Sequence, residues 1–181
     1  VQDLFSFNIS FAKSDLAGAT SNVAAAQEVA PTPIPRSNYE LPYPGLLPDN
    51  PLYFLRIIRD RTVGFLISDP KKKAEFDLLQ ADKRLNAGIY LFSKGKISIS
   101  ISTISKAENY FEQAIHKIKE AKSQGMETTE IVNRLINSSE KHQEVLKSLA
   151  EKSAQSFKES FRIQTKRAES FEKEAMALVL K

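Results

Sequence analysis

Proline stops at residue 70. All eight prolines lie between Pro31 and Pro70, and none follows to Lys181. Proline lacks an amide donor and fixes its own φ, so it breaks helices and central strands. Its distribution divides the chain into a front, up to about Pro51, that cannot be regular and a remainder that, Pro70 apart, can. Beyond Pro70 only Gly88, Gly95 and Gly125 offer further interruption.

Apolar spacing fills that remainder with helices. Asp49 or Asn50 offers a cap and Pro51 the first position of helix one, expected over about 51–67 with Leu52, Leu55, Ile58, Val63 and Leu66 inward. Pro48 and Tyr53 complete this start signal, and Asp69 with Pro70 repeats it for helix two, over about 70–93. Leu78, Ala81, Leu85, Ile89 and Phe92 then make one stripe. The run ISISIST alternates as a strand would, but no partner strand exists for it. The stripe Ile104, Ala107, Phe111, Ala114, Ile118 and Ala121 favours a third helix beginning near 98–101 and ending near 123.

After Gly125, Thr128 supplies a cap, and Ile131, Leu135, Val145, Leu149 and Phe157 mark a long amphipathic segment. Phe161, Ala168, Phe171, Ala175 and Leu178 continue it. One helix of about 50 residues would be about 75 Å long. The stripe thins near EKSAQSFKES, so a break, if present, belongs near 151–156. The expected fold is all-α: a bundle of about four helices with a long C-terminal helix or helix pair.

The front reads differently. Residues 1–40 are rich in Ala, Ser, Thr and Pro and poor in large apolar side chains, so they are expected to be a largely disordered leader and linker. LFSFNISFA, with small residues at Ser10 and Ala12, fits the tail of a secretory signal. Residues 41–125 are expected to form the helical core, with 126–181 packing on it or extending from it. The excess of positive charge lies beyond residue 48, since Lys13 and Arg36 face Asp3, Asp15, Glu28 and Glu40 before it. Cysteine is absent, which removes disulfides, thiolate metal sites and a cysteine nucleophile.

Chemistry-bearing constellations are sparse. There is no phosphate loop, nucleophile elbow or zinc motif. Arg56, Arg59, Lys71, Lys72 and Lys73 are the candidate anion contact, the three lysines crowding a helix start. His116 and His142 are the only candidate metal pair, with Glu112, Glu120 or Glu144 as a third ligand. Glu108 and Glu112 read as surface charge.

LPYPGLLPDNPLYFLRIIRDR followed by ISDPKKKAEFDLLQADKRL resembles a bacterial family catalogued as domain of unknown function 5667. Pro44, Gly45, Leu47, Pro48, Asp49, Pro51, Tyr53, Asp69, Pro70, Lys73, Ala74, Ala81, Arg84, Leu85 and Ala87 carry the likeness over about 41–120. The resemblance implies an exported or membrane-anchored helical domain and supplies no catalytic residues.

The resulting expectation is a non-enzymatic, cofactor-free helical module outside the cytoplasm. Its partner would be a protein or cell-envelope component, with self-association through the C-terminal helix as one form. The alternatives are a salt-sensitive binder of nucleic acid or another anionic polymer, and a small metal- or stress-sensing hairpin using His116 and His142.

Overall fold

A computed structural model describes residues 38–179. The expected disordered leader and the signal-like segment lie outside the described residues, apart from the last few residues of the linker. Five helices follow a strap of irregular chain: α1 (Tyr53–Leu66), α2 (Pro70–Ser93), α3 (Ile97–Ser123), α4 (Thr129–Lys152) and α5 (Gln155–Val179). No strand occurs among the described residues.

Among the described residues the helix count is five because the long C-terminal segment folds back on itself. Ser153, extended at φ −86° and ψ 154°, ends α4, and α5 begins two residues later. Neither glycine nor proline makes this turn. The Ser153 hydroxyl instead donates to the Ala150 carbonyl at 3.0 Å, and the Phe157 amide to the Ala154 carbonyl at 2.9 Å. These bonds satisfy groups that the ends of the two helices leave free.

Two antiparallel hairpins, α2–α3 and α4–α5, pack into a four-helix bundle. Lys119 with Glu174 and Arg167 with Glu112 show α3 and α5 running side by side in the same direction. Gln143 with Glu172 and Lys147 with Glu169 hold α4 against α5. The α3 stripe from Ile104 to Ala121 is wholly buried. Around it lie Leu78, Ala81, Ile131, Leu135 and Phe171 at one level and Leu85, Leu146, Leu149 and Phe161 at another.

Small residues bring α2 and α3 together. A Cβ on Gly88 would stand 2.4 Å from Ile104 Cγ1, and the Ser100 hydroxyl donates to the Gly88 carbonyl at 2.7 Å. That contact, with Ile97 and Ile101 packed on the core, turns the ISISIST run helical against its β-propensity. Helix α3 accordingly starts at Ile97.

Helix α1 departs from expectation. Leu52, Leu55, Ile58, Val63 and Leu66, read as core, are all exposed. Arg56 and Asp60 are its buried residues. The cause lies in the strap before it. Arg56 Nη1 donates to the Pro44 carbonyl and, at 2.7 Å, to the Leu46 carbonyl, while its Nε faces Asp60 Oδ2 at 3.4 Å. Buried carbonyls of an irregular segment need donors, and α1 turns inward the side chain that supplies them. The helix also begins at Tyr53, two residues later than the proline signal suggested; Asn50 Oδ1 accepts from the Leu52 amide at 2.9 Å.

Candidate functional site

Among the described residues, two places carry unusual chemistry: a sealed polar cluster in the bundle and the outward face of α1.

The cluster forms where α2, α3 and α4 meet. His142 Nδ1 lies 2.9 Å from Glu108 Oε1, and its Nε2 lies 3.2 Å from Asp82 Oδ1. The Ser138 hydroxyl donates to Asp82 Oδ1, and the Tyr39 hydroxyl donates to Asp82 Oδ2, each at 2.6 Å. Asn86 Nδ2 donates to the Pro42 carbonyl at 2.9 Å, so the strap is fastened to α2 at two points. Phe111 sets its ring edge-on to His142 at 5.1 Å and stacks on Phe171 at 5.2 Å.

Burial pushes the His142 ring towards its neutral form. The Glu108 charge and the hydrogen bonds to Asp82 and Glu108 outweigh that, and its pKa is raised to about 9. Both ring nitrogens then donate. Burial and the adjacent Asp82 charge push the Tyr39 hydroxyl up, which keeps it a donor. Glu108 Oε2 has no hydrogen-bond partner. The cluster is a polar clamp: His142 and Glu108 have no exposed surface on which a substrate could land.

The candidate residues fall in separate places. His116 is exposed on α3 and does not join His142. No group of acidic or histidine side chains among the described residues could hold a metal ion. Asp69 Oδ1 accepts from the Lys72 amide at 2.8 Å, with Pro70 at the first helical position. Asp49 pairs with Lys96 at 2.9 Å and Lys94 at 3.5 Å, tying the strap to the α2–α3 turn. Pro48 and Pro51 lie in the strap and the turn before α1, and Tyr53 sits half-buried with its ring 6.0 Å from the Arg56 guanidinium carbon. Arg84 stacks over Tyr110 at 4.2 Å and donates to Gln80 Oε1 at 2.6 Å.

The anion candidates are split as well. Arg56 is consumed by the strap. Lys73 lies 3.2 Å from Asp77 Oδ1 without hydrogen-bond geometry and covers Phe76. Burial pushes the Asp77 carboxyl up against the pull of Lys73. Arg59, Arg61 and Lys72 remain exposed, and Lys71 half so.

Glu108, read as surface charge, is fully buried, and Asp82 was absent from the candidate residues. Glu108 stands four after Ile104 and three before Phe111, on the inward stripe, and that register was the available signal.

A family model described as Domain of unknown function (DUF5667) matches residues 45–156, well over half of the chain. The chain belongs to the DUF5667 family. The DUF5667 match begins in the strap and runs through α1, α2, α3 and α4 to the first residues of α5. It thus reaches beyond the 41–120 span on which the resemblance was first read. Neither a curated protein nor a solved structure matches the chain significantly.

The second place is α1. Phe65 is 87% exposed, Leu66 71%, Ile58 59% and Phe54 54%. Large apolar side chains scattered singly need no explanation; here they gather on one helix, which sets α1 apart from the other four. No described helix is long and apolar enough to cross a membrane.

Proposed function

We propose that this DUF5667 chain is a non-enzymatic interaction module that works outside the cytoplasm, with the four-helix bundle as scaffold and α1 as the docking element. The exposed apolar face of α1 carries this reading. Helix α1 is tied to the strap through Arg56, meets α2 at Gly64 beside Lys73 and Phe76, and leaves its large apolar side chains exposed. A non-catalytic role is supported by the sealing of the molecule's most reactive-looking group, His142, inside the bundle. The extracytoplasmic setting is supported by a cysteine-free composition, which leaves no thiol to oxidise. Self-association, first assigned to the C-terminal helix, has little support there: Phe161, Phe171, Ala175 and Leu178 of α5 are spent on the core.

A photocrosslinking residue placed at Phe65, and separately at exposed Glu159 of α5, tests the proposal in cells that make the protein. An adduct from position 65 and none from position 159 is the expected result. Equal labelling at both, or none at position 65, overturns it.

A further inference from the structure

We infer that the surface α1 docks on is an anionic lipid headgroup layer. This rests on the reading of α1 as the docking element and names its partner by chemistry.

At 3.6 residues per turn, Phe54, Leu55, Ile58, Phe65 and Leu66 fall on one side of α1, spanning roughly a third of its circumference. Arg61 flanks that stripe on one edge and Arg59 on the other. The helix has a single acid, Asp60, and it is buried, with Arg56 and Arg59 against it. The outward side of α1 therefore presents apolar and cationic groups and no carboxylate. Lys71 and Lys72 extend the positive charge just past its C-terminal end, where Asp69 is occupied with capping α2.

An apolar stripe edged by arginines is the form of a helix lying in a bilayer interface, its ring and aliphatic groups about 5–10 Å deep and its guanidinium groups lifted to phosphate. The alternatives fit less well. In a symmetric pair of α1 helices each face would meet a copy of itself, arginine to arginine, with no acid to separate them. The stripe also runs the length of the helix, with bulky side chains exposed from Phe54 to Leu66, which suits a deformable plane.

Co-sedimentation of the full chain with vesicles tests the inference. One set is phosphatidylcholine alone, and a second contains about one third phosphatidylglycerol. Binding to the second at least about tenfold tighter than to the first is expected. The Phe54→Ser/Phe65→Ser variant should bind at least about tenfold more weakly at any salt concentration. The Arg59→Gln/Arg61→Gln variant should lose about tenfold on anionic vesicles, with the loss disappearing at high salt. Phe54, Phe65 and Arg61 are exposed and loss of Arg59 leaves Asp60 still paired with Arg56, so a cooperative thermal transition verifies that each variant is folded. Absence of vesicle binding, or binding indifferent to both variants, overturns the lipid assignment. If the position-65 adduct in cells is then an acidic protein, the docking role of α1 survives and only its partner changes. An adduct to residues 1–37 of the same chain overturns both.

Discussion

Helices α1 and α5 are both two-sided, and they turn opposite sides inward. In α5, Phe161, Ala168, Phe171 and Ala175 face the bundle while Arg162 and Glu159 face water. In α1, Arg56 and Asp60 face the molecule while Phe65 and Leu66 face out. The difference follows from what each packs against. Helix α5 meets other helices, whose main-chain groups are already paired, so it brings in mainly apolar surface, with Gln164 and Thr165 as the polar exceptions. Helix α1 meets a strap with bare carbonyls, and a charged donor is worth more there than a leucine.

The bundle side of this contrast breaks most severely at His142. His142→Ala leaves Glu108 and Asp82 buried without their shared donor, at an expected cost of about 3–5 kcal/mol in denaturant unfolding. Phe111→Ala removes the ring between His142 and Phe171 and should cost a similar amount, about 3–5 kcal/mol. The wild-type chain should also show a pH signature. With its ordinary value of 6.5 raised to about 9, His142 contributes stability in full below pH 6.5 and loses it as pH rises through 9. The unfolding midpoint should fall across that window, and the His142→Ala chain should lack this component. A chain equally stable at both ends of the window would show that the imidazolium is not what holds the two acids.

Two smaller effects sharpen the comparison. Gly88→Ala should cost about 1–3 kcal/mol, because the added methyl meets Ile104 where the helices cross. Arg56→Met should cost about 1.5–3 kcal/mol and raise amide exchange across 38–52, since the Pro44 and Leu46 carbonyls lose their donor. The smallest effect belongs to the outer face. Phe65→Ser should move unfolding by no more than about 0.5 kcal/mol, because the side chain supports nothing in the fold. A large loss there would mean that α1 buries its apolar face against the rest of the chain.

Elements whose packing is helix on helix were legible in the sequence. The α3 stripe and the α2 start signal at Asp69 and Pro70 are local patterns, and local patterns are what spacing encodes. The inversion of α1 was not legible, because the partners of Arg56 are carbonyls of Pro44 and Leu46, which every residue type carries. The clamp was half legible. Glu108 and His142 both stand on inward stripes, but nothing in either helix alone says that the two stripes meet across the bundle, or that Asp82 closes the other side. The α4–α5 turn left only a thinned stripe as its trace, since Ser153 makes it without glycine or proline.

The two-residue turn at 153–154 has a practical consequence for anyone dividing this chain. The DUF5667 signature ends at residue 156, only two residues into α5, yet α5 supplies Phe161, Phe171 and Ala175 to the interior. The heritable signature and the folding unit therefore close at different places. A fragment cut where the family pattern ends would present a raw hydrophobic trench along α3 and α4, prone to clumping and chaperone capture, although it contains nearly every residue by which the family is known.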